Sequence, residues 1–144
     1  MRDVLERLKE FKVHKFPERE GVVYVLCLIK KDEEKEVPFY VGETEVLCRR
    51  LGEYVVAQFS AETDFKVGEA IKYFKEKGCR VVVRWEHVGQ LSQILKRRRE
   101  EKKLINGLMW KGYKLLNTLK GFSYITADEN TERERIRQFC AEIV

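Results

Sequence analysis

The chain has 144 residues, of which 44% are hydrophobic and 37% charged, with 29 Lys and Arg against 24 Asp and Glu for a net charge of +5. That length holds one domain with one core and excludes two ordinary ones. No apolar run approaches the roughly eighteen residues of a membrane span, and the charged start Met1-Arg2-Asp3-Val4-Leu5-Glu6 lacks a signal peptide's apolar stretch. A soluble, cytoplasmic protein with no membrane partner is therefore expected. Cys27, Cys48, Cys79 and Cys140 lie too far apart for zinc-site spacing, and they are expected to be reduced and mostly buried thiols. Lys and Glu dominate the charged residues and prolines are scarce, a balance that leans toward a thermophilic source. The basic excess permits a polyanionic partner.

Residues 2 to 12 put Val4, Leu5, Leu8 and Phe11 on one helical face, which predicts an N-terminal docking helix, and Pro17 closes the linker after it. Residues 22 to 29 are apolar on both alternating faces, as in a strand covered on both sides. A charged turn follows, and Phe39-Tyr40-Val41-Gly42 returns as the second strand of a hairpin. From Val46 the period becomes helical, with Leu47, Leu51, Tyr54, Val55 and Phe59 on one side and Arg50 beside Tyr54 at i, i+4. A second helix over residues 66 to 77 ends at Gly78. Residues 80 to 87 then alternate, with Val81, Val83 and Trp85 facing a core.

A long helix over residues 91 to 109 carries the stripe Leu91, Ile94, Arg98, Glu101, Ile105 and Leu108. A carboxylate at a core position is costly unless it is paired, hydrogen-bonded or metal-bound. An Arg98–Glu101 ion pair and metal ligation by Glu101 are the two explanations. The basic run Lys96-Arg97-Arg98-Arg99 with Lys102-Lys103 brackets Glu100-Glu101, either as a solvated helix face or as a polyanion contact. Trp85 and Trp110 are expected in the core or at an interface. After a turn at Gly112 comes Leu115-Leu116-Asn117, and Thr131-Glu132-Arg133-Glu134 fits a capping box opening a last helix on Ile136, Phe139, Cys140 and Ile143. The predicted class is α+β: a three-stranded, mainly antiparallel sheet flanked by helices in the order β-β-α-α-β-α. Extra helices at 2–12 and 129–143 complete a single domain over 1–144.

Five features fall in order along this frame. They are Tyr24 on the first strand, Tyr40-Val41-Gly42-Glu43-Thr44 on the second, Arg50 ten residues after Tyr40, Glu101-Lys102-Lys103-Leu104-Ile105, and Leu115-Leu116-Asn117. In that order and spacing the chain resembles the GIY-YIG nuclease family over residues 21–118. It departs from the family in the first half-motif, where Gly21-Val22-Val23-Tyr24 has one residue too many between glycine and tyrosine. It departs again at Glu43, where the family's excision-repair incision nucleases carry lysine. Tyr54 matches a tyrosine of those relatives.

The resemblance implies a metal-dependent DNA endonuclease. Glu101 would hold Mg2+ or Mn2+, Arg50 would neutralise the phosphate in flight, and Tyr24 would activate water. Tyr40 and Tyr54 would position water or phosphate, and Asn117 would fix the local geometry. A phenol with a pKa near 10 is a poor base at neutral pH, and Arg50 is expected to supply the cationic setting that Tyr24 needs. Arg97, Arg98, Arg99, Lys102 and Lys103 are the candidate nucleic-acid contacts. No sequence-reading module is appended, so structure-directed or weakly specific cutting of duplex or branched DNA is expected, in a repair, recombination or restriction-like role. A one-metal site cuts one strand, so a double-strand break needs a homodimer or two visits. Two other readings stay open: a nucleic-acid-binding module that cuts weakly or not at all, and an interaction domain that uses its terminal helices.

Overall fold

Only a strand covered on both faces can bury residues of both parities. In the computed structural model, which describes residues 8–10, 21–56, 59, 61–88, 93–120 and 128–143, all eight residues of Val22–Ile29 are buried at the centre of the sheet. The elements in chain order are β1 (Lys9–Glu10), β2 (Val22–Ile29), β3 (Glu36–Thr44), α1 (Leu47–Val55), α2 (Glu62–Glu76), β4 (Arg80–His87) and α3 (Ile94–Trp110). A 3-10 turn (Leu116–Thr118) and α4 (Glu129–Ala141) follow. The sheet is antiparallel throughout, in the order β1-β4-β2-β3, which leaves β3 at one edge.

The α+β class therefore stands, with four strands among the described residues where the sequence predicts three. The additional strand corrects part of the N-terminal helix expected over residues 2 to 12, because Lys9 and Glu10 pair with Trp85 and Arg84. Long-range partners hold that edge. Leu8 is buried against the sheet, Arg84 Nη1 donates to the Leu8 carbonyl at 3.4 Å, and the Lys9 ammonium sits 4.9 Å from the Trp85 ring centre. The remainder of that predicted helix lies outside the described residues.

Helices cover both faces. Val23, Val25 and Cys27 pack with Val41, Leu104, Leu108 and Leu115 beneath α3. Val22, Tyr24, Leu26 and Leu28 pack on the opposite face against Leu47, Phe65, Phe74 and Ile136 of α1, α2 and α4. A bulge opposite Leu26 and Cys27 leaves Phe39 between two paired residues of β3, and both Phe39 and Tyr40 enter the α1–α2 side of the core. Val55, expected on the apolar side of α1, is instead 75% exposed.

The last helix opens one turn earlier than the capping-box pattern indicates. Asp128 is the N-cap and accepts from the Thr131 amide at 3.0 Å and the Thr131 hydroxyl at 2.8 Å. Its stripe is used internally: Ile136 and Cys140 are buried in the core, and burial pushes the Cys140 thiol up to about 12. Arg133 of α4 also reaches the buried Glu69 of α2 at 3.4 Å. A partner for α4 would have to compete with that packing, which counts against the interaction-domain reading at this end. Three of the four cysteines, all but Cys48, are buried. Among the described residues no helix is long and apolar enough to cross a membrane.

Candidate active site

Cross-strand pairing builds the centre of the site. Tyr24 on β2 lies opposite Gly42 on β3, and its ring crosses the bare glycine backbone. A Cβ at position 42 would stand 2.8 Å from Tyr24 Cε1 and closer still to Cζ and the hydroxyl. The glycine of Tyr40-Val41-Gly42 is thus a requirement of close approach. Because Tyr24 is only 1% exposed, its ring has nowhere to retreat. Gly42→Ala is expected to cost about 2 kcal/mol by overpacking and to lower Tm by about 6 °C. Gly52, where a Cβ meets nothing, is the control position for the same substitution by thermal melt.

Tyr40 comes from the neighbouring strand, its ring centre 6.4 Å from that of Tyr24, and α1 brings Tyr54 edge-on to Tyr40 at 6.3 Å. The hydroxyls of Tyr24 and Tyr54 are hydrogen-bonded to each other. One turn earlier on α1, the Arg50 guanidinium lies over the Tyr54 ring at 4.8 Å. Its Nη1 donates to Glu53 Oε2 at 2.7 Å and also pairs with Asp64 Oδ1 of α2 at 2.6 Å. Two carboxylates therefore clamp one corner of the guanidinium.

The electrostatics correct one expectation. Burial, the largest influence, raises the pKa of Tyr24, and the neighbouring Tyr40 adds to it. The hydrogen bond from Tyr54 and the charge of Arg50 oppose the shift without cancelling it. Tyr40 and Tyr54 are raised by burial in the same way. Arg50 alone thus does not turn Tyr24 into a base, and at neutral pH all three phenols are neutral hydrogen-bonding groups. Burial would lower the pKa of Arg50, but Tyr54, Glu53, Tyr24 and Asp64 together outweigh it and raise it.

Glu101 approaches from the other side. It lies half-buried on α3 and adds to the upward shift of Tyr40. Its own carboxyl is pushed up to about 7, first by burial and then by Glu43, while Arg98 pulls it back. Among the described residues it has no hydrogen-bond or ion-pair partner, so the Arg98–Glu101 pair offered by the helical stripe is not formed. Glu101 is raised in the folded chain, so its ionised form weakens the fold. That penalty is absent below about pH 4.5 and complete once pH has risen through about 7. For a half-exposed group, solvent screening reduces it to about 1 kcal/mol. Glu101→Gln in EDTA is expected to raise Tm by about 3 °C at pH 8 and by nothing at pH 4.5. A gain that is equal at both pH values would contradict this placement.

The buried basic residue of α3 is Arg97, not Arg98. Arg97 is 1% exposed, with Nε donating to Glu43 Oε2 at 3.0 Å and Nη2 to Glu45 Oε1 at 3.3 Å. Gly21 makes room for it, since a Cβ there would stand 2.7 Å from Arg97 Cδ. Enclosed and already committed to two carboxylates, Arg97 leaves the set of candidate nucleic-acid contacts. It ties α3 to the end of β3. Arg98, Arg99, Lys102 and Lys103 remain exposed on α3, with Lys103 3.3 Å from Glu100.

Asn117 sits on the free edge of β3. The Val41 amide donates to its Oδ1 at 2.9 Å, and its Nδ2 donates to the Val41 carbonyl at 2.7 Å. The side-chain amide replaces the missing neighbour strand between Tyr40 and Gly42. Asp64, on a different helix from Arg50, and Gly21 were not singled out for the roles found here. The Arg50–Glu53 spacing of i, i+3 did carry a readable signal.

No group of three or more His, Cys, Asp or Glu residues suited to a metal occurs among the described residues. The donor set is one partnerless carboxylate, Glu101, with Glu43 close by and held through its Oε2. That set fits Mg2+ or Mn2+ more naturally than a fully caged ion, since Mg2+ keeps several waters and takes one or two carboxylates plus substrate phosphate. Compared with protein-family models, curated proteins and solved structures, the chain matches none.

Proposed function

We propose that this chain is a GIY-YIG-type, metal-dependent endonuclease that hydrolyses phosphodiester bonds in DNA. The observation that carries this reading is the convergence of Tyr24, which crosses Gly42, with Tyr40, Tyr54 and Arg50, and a partnerless carboxylate, Glu101, whose charge is felt by Tyr40. Glu101 would seat Mg2+ or Mn2+, which when bound supplies Lewis-acid stabilisation of the phosphoryl oxygens. Arg50, fixed at one corner by Glu53 and Asp64, offers the rest of its fork to the charge that develops on the phosphate. The phenols orient water and phosphate by hydrogen bonds. Tyr24 can accept a proton only when further positive charge gathers next to it, because burial has moved its pKa the wrong way for a base. Asn117 holds the strand that carries Tyr40 and Gly42.

One observation favours a second reading, a nucleic-acid-binding module with little turnover: the same carboxylates that fix Arg50 also compete with a phosphate for it. The test is incubation of a labelled branched duplex and a matched linear duplex with Mg2+ or Mn2+ and with EDTA. Metal-dependent cutting that prefers the branched substrate is expected. Salt-sensitive retention without cutting would move the assignment to the binding module, and cutting at a fixed short sequence would contradict structure-directed recognition.

A further inference from the structure

Trp110 ends α3 at 91% exposure, and Met109 next to it is 45% exposed. Of the two positions expected for Trp110, the core is thus excluded and the interface is left, and an aromatic this open needs a partner to explain it. At about 100° per residue, Arg99, Lys103, Asn106 and Trp110 fall on one stripe of the helix. Lys102 borders it, and all five side chains are exposed. Among the described residues Arg99 and Lys102 have no ion-pair partner, while Lys103 meets Glu100. An indole at the end of a basic track has the composition of a single-strand platform, where cations follow the phosphates and an aromatic face takes a base. A second copy fits poorly, because it would set Arg99, Lys102 and Lys103 against their own counterparts.

We propose that the outer face of α3 binds an unpaired segment of nucleic acid, with one base stacked on Trp110 and the phosphates before it on Lys103, Arg99 and Lys102. This deepens the endonuclease reading and rests on it for the identity of the polyanion. Lys103 and Trp110 are seven residues apart, about 10 Å along the axis. Glu101 lies nine residues before Trp110 and about half a turn away around the helix. The stacked segment is therefore a different part of the substrate from the phosphate at Glu101. A flap or branch supplies both parts, with Arg98 and Lys102 on the surface between them.

The two tryptophans make the test direct, since Trp85 is 7% exposed and cannot stack on a ligand. The full chain in EDTA is titrated with single-stranded oligo(dT) and with a blunt, fully paired duplex, following tryptophan fluorescence and the anisotropy of the labelled nucleic acid. Oligo(dT) is expected to quench wild-type emission. Trp110→Phe should keep the affinity and lose the quench, and Trp110→Ala should weaken oligo(dT) binding by about 10-fold or more while changing duplex binding less than about twofold. No quench by oligo(dT), or equal losses for both ligands, overturns the proposal. So does a Trp110-dependent dimer in sedimentation whose emission ignores the oligonucleotide. Plasmid nicking is scored separately: quenching without nicking removes the nuclease reading and leaves this surface, and nicking without quenching does the reverse.

Discussion

Arg50→Ala is expected to slow metal-dependent strand cleavage about 100-fold or more, the usual consequence of removing one preorganised group that stabilises transition-state charge. Among the described residues its guanidinium is the cation that lies at the three phenols, held over Tyr54 at 4.8 Å and clamped by Glu53 and Asp64. The loss should appear in the single-turnover rate at saturating DNA, because the contact strengthens as charge develops on the phosphate. Arg50→Lys keeps a charge but loses the planar fork, and should recover only part of the rate. Near-normal cleavage by Arg50→Ala, with unchanged Tm, would remove Arg50 from the chemistry.

Arg97→Ala should act on the fold instead. Breaking a buried ion pair from one side leaves a carboxylate without its counter-ion, at about 3–5 kcal/mol when both partners are buried. The Glu43 and Glu45 side chains are 19% and 49% exposed, so water takes up part of that loss. About 2–3 kcal/mol is expected, or a fall in Tm of about 8 °C by calorimetry. Pairing Arg97→Met with Glu43→Leu should recover much of it, because the one carboxylate then left without its counter-ion, Glu45, is half exposed and solvated by water. A Tm for Arg97→Ala within about 1 °C of wild type would show that the pair contributes nothing.

These two arginines mark how far the sequence could be followed. The central strand was legible because eight consecutive apolar residues admit few other interpretations, and the strand carrying Gly42 followed from Phe39-Tyr40-Val41-Gly42 ahead of a helix. The i, i+4 relation of Arg50 to Tyr54 fixed their proximity before any tertiary contact was known. The phase of α3 was harder to read. Choosing Ile94, Arg98, Glu101 and Leu108 as the inner stripe put Arg98 inward, whereas the helix buries Arg97, Leu104 and Leu108. The difference is one residue, decided by the space at Gly21, by Glu43 near the end of β3 and by Glu45 just after it, none of which is local in sequence.

The same limit explains Lys9 and Glu10. Two residues of strand have no period of their own, and only pairing with β4 decides the matter. Asp64 escaped notice because it opens a separate helix, and its role depends on how α1 packs on α2. Trp110 had no signal for exposure beyond its position at a helix end.

The most direct test of the central claim is nicking of supercoiled plasmid by wild type and by Glu101→Ala, each with Mg2+ or Mn2+ and with EDTA. Because Glu101 has no hydrogen-bond or ion-pair partner among the described residues and its charge is felt by Tyr40, nicking is expected from the wild type with metal and from neither protein in EDTA, with the variant at least about 100-fold slower. Metal-dependent nicking by Glu101→Ala at the wild-type rate would contradict the assignment of the metal to this site.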